Sequence, residues 1–308
     1  MFQENIPLSY YSNFKIGGPA KYFFEAKNFN ELIIFLESSR AKSQRIFILG
    51  GGTNVLFDDK GFDGLVIKPN FQFIKKDKNT LRVGAGVLIS ELLEFCLENN
   101  LGGLEWAGGL PGTLGGAIYG NAGAFGGEIK DIIREVISLD ISFSRPEVIK
   151  RKARYCNFKY RSSIFKASKN REIILEALFE FKKGDRGAIR EEINQRIDYR
   201  REHQPLEHPN VGSIFKNIDV RNTGANRAIF NKVIKTDPFP AIPAAYLIAE
   251  AGLKGISCGG AMISPKHPNF IVNVLDAAAS DVENLIELSK IKVYKKFKIE
   301  LEEEIIRL

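Results

Sequence analysis

Cysteine is scarce in this sequence: Cys96, Cys156 and Cys258 are the only three among 308 residues. So few and so widely spaced, they exclude a disulfide framework and a cysteine-based zinc site, and they suit a reducing compartment. Histidine is as rare, with His203, His208 and His267. Pro205 separates the first two, so they share no helical face and no metal site is expected; His208 and His267 each precede a proline, which marks loops. No basic segment followed by an apolar stretch opens the chain, so no secretory signal is expected. There is no G-x-x-x-x-G-K-[ST] phosphate loop and no G-x-S-x-G nucleophile elbow. Gly84-Ala85-Gly86 stands between a strand-like and a helix-like segment, but Ile89 occupies the third glycine position of a dinucleotide fingerprint. Long apolar runs are missing too. The 22 uncharged residues between Glu105 and Glu128 have the length of a bilayer span but hold nine glycines, Pro111 and Asn121. They read as a buried or half-buried loop system, and no membrane span is expected.

What is present is an ordinary globular composition, 44 % apolar and 26 % charged, which excludes a disordered chain, a collagen and a coiled coil. The length favours two or three domains. Lys and Arg number 44 against 37 Asp and Glu, a net charge of 44 − 37 = +7. That excess suits either a solvated surface or anionic small-molecule ligands such as phosphates and carboxylates. A nucleic-acid binder would cluster its cations on one face with aromatics between them. The densest patch, Lys150-Arg151-Lys152-Ala153-Arg154, is short and reads as a loop, so no nucleic-acid partner is expected.

Periodicity places amphipathic helices at 30–40 with Asn30 as cap, at 90–100 with Ser90 as cap, and at 186–202, where Ile189, Ile193 and Ile197 recur every fourth residue. Further helices are expected at 244–250 and 280–296. Strands are expected at 46–49, 65–67, 80–83, 132–139, 172–181, 270–275 and 299–308. A boundary near 183–185 divides the chain into 1–184, itself split at about 70 (1–70 and 71–184), and 185–308.

Glycine is the strongest signal, since residues 102–127 hold 11 of the 28. Loops at 50–54, 84–86 and 108–127 fit backbone amides closing around a phosphate-bearing ligand as long as a dinucleotide, or else a set of tight turns. Two polar segments stand out in the second half. In 160–166, Arg161 lies beside Tyr160 and two serines, a set suited to clamping a carboxylate. In 210–217, Gly212 gives Ser213 close access, while Lys216 and Asn217 offer donors for phosphate or sugar. Taken by pattern alone, each also reads as a strand edge and turn.

Together the segments SNFKIGGPA (12–20), LGGGTNVL (49–56), GGLPGTLGGAIYGNAGAFGGEI (108–129), YRSSIFK (160–166), QPLEHPNVGSIFKN (204–217), AGLKG (251–255), GGAMISPKHPNFIVN (259–273) and LEEEIIRL (301–308) resemble the UDP-N-acetylenolpyruvoylglucosamine reductase (MurB) family, in its shorter subtype. They run in the family's order along nearly the whole chain. The resemblance implies an α+β protein in which two α/β subdomains form a vanillyl-alcohol-oxidase-type FAD-binding domain, 1–184, followed by a C-terminal α+β substrate-binding domain, 185–308. It implies noncovalent FAD, NADPH as reductant and UDP-N-acetylglucosamine enolpyruvate as substrate, reduced to UDP-N-acetylmuramate in peptidoglycan precursor synthesis by a cytoplasmic monomer.

The same resemblance assigns Gly50, Gly51, Gly52, Thr53, Asn54, Gly109, Pro111, Gly112, Thr113, Gly116, Asn121 and Gly123 to the cofactor. Tyr160, Lys216 and Asn217 fall to the substrate. Arg161, Ser213 and Glu304 are the catalytic set: guanidinium, proton donor to carbon, and a carboxyl that completes the site. Three departures accompany it. Met262 stands where the family has Gln; about twenty extra residues, 218–241, follow Asn217; and Glu303 and Ile306 replace the Pro and Arg that flank the catalytic Glu.

Overall fold

The structure, a computed structural model, describes residues 2–38, 45–142, 145–169, 171–222, 230–236 and 238–308. The end of the helix expected at 30–40 and part of the 218–241 segment lie outside these residues. The chain separates into two compact units. The first comprises Met1–Ile6, Ala20–Gly51 and Asp63–Tyr199; the second comprises Pro7–Pro19, Gly52–Phe62 and Arg200–Leu308.

In the first unit, strands β1 (Phe2–Pro7), β2 (Pro19–Ala26), β3 (Ile46–Ile48) and β4 (Phe62–Pro69) make a sheet in the order β1-β2-β4-β3, with β3 and β4 parallel. Helix α1 (Phe29–Glu37) lies between β2 and β3 in sequence and starts earlier than its periodicity suggests. Its cap is Asn28, whose Oδ1 accepts the Glu31 N–H at 2.9 Å, because the apolar stripe already begins at Phe29. A second sheet, wholly antiparallel, is built from β5 (Ile74–Asp77), β6 (Thr80–Gly84), β7 (Ile133–Asp140), β8 (Glu147–Lys152) and β9 (Glu172–Glu180), in the order β8-β7-β9-β6-β5. Most of β9 is buried on both faces, as its run of apolar residues demands of a central strand.

The edges of that sheet are charged. β8 reads EVIKRK, so the basic patch is an edge strand rather than a loop, and cations there discourage edge-to-edge pairing. Arg151 of β8 turns inward to Glu172, with Nη2 to Oε1 at 2.9 Å. Helix α2 (Ile89–Glu98) also starts one residue before its expected cap: Glu91 accepts the Leu88 N–H at 3.1 Å, while Ser90 lies inside the helix. Helices α3 (Leu114–Gly120) and α4 (Ile164–Ala167) and most of α5 (Arg186–His203) complete the unit. The uncharged stretch 106–127 is thus not wholly loop, since it contains α3.

The second unit is smaller. Helices α6 (Ala244–Glu250) and α7 (Ala279–Phe297) accompany a three-stranded antiparallel sheet of β10 (Ser257–Cys258), β11 (Ala261–Ile263) and β12 (Ile271–Asn273). Its core gathers Phe14, Leu56, Phe215, Leu247, Val282 and Leu301. The terminal segment is extended but pairs as a strand only at Ile306–Arg307, parallel to Val55–Leu56. It is therefore much less of a strand than the alternating sequence 299–308 suggests. The described part of 218–241 is anchored: Ile218–Asp219 pairs with Ala241–Ile242, and buried Phe230 meets the rings of Tyr246 and Phe297. No helix among the described residues is long and apolar enough to cross a membrane, and no group of His, Cys, Asp and Glu among them could hold a metal.

Candidate functional site

Two of the three glycine loops come together in the first unit. A Cβ on Gly51 would fall 2.8 Å from the Gly112 Cα, and one on Gly50 would fall 3.0 Å from Thr113 Oγ1. Only glycine lets these backbones approach so closely. Residues 112–115 are held in turn by 85–89: Ile89 N–H donates to Gly112 O at 3.0 Å, Leu114 N–H to Val87 O at 2.9 Å and Gly115 N–H to Ala85 O at 2.8 Å.

The third loop, 84–86, is not a cradle. The N–H groups of Gly84, Ala85 and Gly86 all donate to backbone carbonyls, and a Cβ on Gly84 would fall 2.1 Å from Phe71 O. Its glycines serve close packing of two backbones, which sequence pattern cannot distinguish from ligand approach.

The donor set left over fits a flavin dinucleotide. The N–H groups of Gly50 and Gly51 make no hydrogen bond among the described residues. Thr113 Oγ1 is buried beside them with no partner among those residues. Buried polar groups rarely go unpaired, so this hydroxyl and these amides mark a place for a polar group from outside the chain. Gly116 adjoins them and is exposed, as are Gly109 and Pro111. Gly52, Thr53 and Asn54 continue the first loop; Asn54 itself lies in the second unit, where its Nδ2 donates to Glu304 O at 3.2 Å.

Asn121 is engaged within the chain. It is fully buried at the end of α3 with φ 46°, its Oδ1 accepts the Lys130 N–H at 3.2 Å and its Nδ2 donates to Lys159 O at 3.1 Å. The amide therefore ties the glycine segment to the turn that carries Arg161. In that turn Lys159 and Ser162 exchange backbone hydrogen bonds at 2.9 and 3.1 Å, and Arg161 takes φ 53°. A left-handed arginine is uncommon and is held here by its surroundings. Its Nη2 donates to Gly123 O at 2.9 Å, and the guanidinium lies over the Tyr160 ring at 5.0 Å. Ser163 locks the turn further, donating to Tyr119 O at 2.7 Å and accepting the Lys166 N–H at 3.3 Å as the cap of α4. The glycine segment, α3 and the Arg161 turn are thus tied together by hydrogen bonds to backbone.

The second unit brings Ser213 and Glu304 onto adjoining segments. Gly212, at φ 80°, receives the Asn210 Oδ1 on its N–H at 3.0 Å. Buried Asn269 then clamps Ile214 and Phe215: its carbonyl accepts the Ile214 N–H at 2.8 Å, its Oδ1 the Phe215 N–H at 3.0 Å, and its Nδ2 donates to Phe215 O at 2.8 Å. Ile214 O accepts the Glu304 N–H at 2.8 Å, and Phe215 bridges Glu303 in antiparallel fashion. Ser213 Oγ has no hydrogen-bond partner among the described residues and is only half-buried.

Of the three successive acids, Glu302 pairs with Lys216 and Glu303 with Lys290 and Arg307. Lys216 is therefore engaged with Glu302, and Asn217 accepts the Ala244 N–H at 3.2 Å. Met262, in β11, pairs with Val272 and Ser257 through its backbone. Asn210 and Asn269 were missed by sequence reading. Both lie inside the quoted motifs, but a buried asparagine that holds backbone carries no periodic signal.

Residues 20–145 match the FAD binding domain family, and residues 204–308 match the C-terminal domain of UDP-N-acetylenolpyruvoylglucosamine reductase. The reductase of Carboxydothermus hydrogenoformans is 38 % identical, covering 97 % of this chain and 91 % of its own. That of Caldicellulosiruptor bescii is 38 % identical over 99 % of this chain and 90 % of its own. The crystal structure of the Thermus caldophilus reductase superposes with a TM-score of 0.77 at 28 % identity, covering 100 % of this chain and 99 % of that one. The α+β class and the FAD-binding fold expected from the sequence stand on these matches. Related along essentially its whole length to these reductases in sequence and in backbone, the chain belongs to the UDP-N-acetylenolpyruvoylglucosamine reductase family.

Proposed function

We propose that this protein uses FAD and NADPH to reduce UDP-N-acetylglucosamine enolpyruvate to UDP-N-acetylmuramate, a step of peptidoglycan precursor synthesis. Full-length kinship with the reductases carries the reading, and donors at Gly50, Gly51 and Thr113 that have no partner among the described residues support a cofactor beside them. Residues 1–184 take the flavin role and 185–308 the substrate role. Bound flavin supplies the hydride exchange between NADPH and the substrate's double bond.

The residues supply the rest. Hydride addition at the terminal carbon of the enolpyruvyl group leaves an electron pair on its neighbour, shared with the carboxylate as an enolate. Arg161 faces that charge with a fixed guanidinium, and the Glu304 carboxyl completes the site. Ser213 Oγ gives its proton to the carbon, which completes the lactyl ether; a free hydroxyl suits that role, since no competing acceptor among the described residues holds its hydrogen. Tyr160, Lys216 and Asn217 contact the sugar nucleotide.

The flavin is held without a covalent bond. No histidine occurs before residue 203, and burial pushes the Cys96 thiol up to about 12 and the Cys156 thiol up to about 11, so neither is a usable nucleophile. The protein works in the cytoplasm, where nucleotide sugars and NADPH are made. Anaerobic titration of the purified yellow protein tests the function. NADPH bleaches the flavin, and the enolpyruvyl sugar nucleotide restores its colour in equal amount. A flavin that NADPH does not bleach, or that the sugar nucleotide does not restore, overturns the reading.

A further inference from the structure

Beside its packing stripe α7 carries Glu283, Glu287 and Lys290, which stack because residues three and four apart are neighbours on a helix. Against them lies the terminal segment. Lys290 Nζ is 2.6 Å from Glu303 and 2.9 Å from Glu287. Arg307 grips the same Glu303 carboxylate with two donors, Nε to Oε2 at 2.6 Å and Nη2 to Oε1 at 2.5 Å. Its Nη2 also reaches Glu287 at 2.9 Å, and its Nη1 stands 3.9 Å from Glu283. The Glu303 side chain is only 20 % exposed. Burial by itself would raise its carboxyl, but the hydrogen bonds from Arg307 and Lys290 outweigh that and hold it below the usual range. A bidentate, half-buried network of this kind exceeds the near-zero worth of an isolated surface pair.

The network matters for the neighbouring residue. Backbone bonds at Glu302 O, Glu304 N–H and O and Ile306 N–H fix the path of the segment, and the Glu303 network adds side-chain bonds that hold one side of it to α7. Successive side chains of an extended chain point to opposite sides. With Glu303 fastened toward α7, Glu304 is turned the other way, while its backbone is fixed by Ile214 O at 2.8 Å and by Asn54 Nδ2 at 3.2 Å. We infer that Lys290 and Arg307 are positioning residues whose grip on Glu303 sets the rotation of the terminal segment and so aims Glu304. The inference rests on the reading of Glu304 as the site carboxyl.

The test uses Glu287→Gln/Lys290→Met, which removes the contribution of α7, with Lys290→Arg as the conservative control. Hydrogen–deuterium exchange of residues 302–306 reports the segment itself, and stopped-flow absorbance separates the two half-reactions of the flavin-loaded protein. The double variant exchanges about tenfold faster and reduces the sugar nucleotide about tenfold more slowly, with flavin reduction by NADPH unchanged, since small misplacements of a reacting group cost this much or more. Lys290→Arg behaves as the parent in all three. Faster exchange with an unaltered substrate step makes the network merely structural and overturns the inference, as does unaltered exchange. If the double variant does not fold, Lys290→Met alone gives the same comparison. Glu304→Gln tells the two failures apart. A normal substrate step there removes the reading of Glu304 and the inference with it, whereas a slow step beside a normal double variant removes the inference only.

Discussion

At the scale of single residues, the half-buried Ser213 is defined by what it lacks. Its neighbours Asn210 and Asn269 take up the backbone around it, leaving the hydroxyl without a partner among the described residues. Ser213→Ala therefore keeps the fold and NADPH-driven flavin reduction, and slows the substrate half-reaction by about 10²–10⁴-fold, the usual weight of a positioned general acid. Stopped-flow spectroscopy of each half-reaction checks it, and equal loss in both would count against Ser213 as donor. Asn269→Ala acts differently. It strips the Phe215 N–H and C=O of their buried partner and destabilises the protein by about 2–4 kcal/mol, one to two kcal/mol for each group left unsatisfied. Urea unfolding curves measure it; a change below about 0.5 kcal/mol would mean that the segment is held by other bonds.

At the scale of elements, the two glycine loops separate steric from ligand effects. Gly51→Ala forces a Cβ to within 2.8 Å of the Gly112 Cα, so the loops move apart, and both thermal stability and flavin occupancy fall. At Gly116 a Cβ meets nothing nearer than Thr113 Oγ1 at 3.6 Å, and alanine favours the helix it sits in. Gly116→Ala thus leaves the apoprotein's melting temperature unchanged or slightly higher while weakening FAD binding. Flavin absorbance per protein and a melting curve of the stripped protein read the two effects. Undiminished flavin retention would remove Gly116 from the cofactor set. Much of this level was legible in advance. The helix at 244–250 was read with its observed bounds, and α5 and α7 lie within a residue of theirs. Cap residues were less legible, because Asn28 and Asn30 compete for one role and only the backbone path chooses between them.

For the whole molecule, binding energy and protons are linked to folding. FAD added at a hundredfold excess over its dissociation constant stabilises the stripped protein by about 2.7 kcal/mol, visible as a higher melting temperature; no shift would contradict the cofactor reading. Acid acts through His267. Burial, with Lys235 and His203 nearby, lowers its pKa from 6.5 to about 4, so the folded protein keeps it neutral while the unfolded chain protonates it. Below pH 6.5 the unfolded state then binds more protons, and stability falls as pH drops from about 6.5 toward 4, after which this contribution is exhausted. His267→Gln flattens that part of the stability–pH curve in urea titrations; an unchanged curve would show that other groups set the acid limb.

The resemblance carried by the ordered motifs was enough to set the family and the cofactor, and periodicity set most elements, because helices and strands depend on residue spacing along a few turns of chain. The choice between chemically equal candidates was not local. Gly84 and Gly86 proved to be packing glycines, Asn121 a fastening between two segments, and Glu302 and Glu303 acids paired with Lys216 and with Lys290 and Arg307. Each outcome hangs on a bond to a distant part of the sequence, such as Asn13 Nδ2 to Asn210 O across 197 positions or Asn54 Nδ2 to Glu304 O across 250. The sequence could not show that Pro7–Pro19 and Gly52–Phe62 join the unit of the last hundred residues. That membership arises only when long-range hydrogen bonds and apolar burial are satisfied together, and tertiary structure alone decides it.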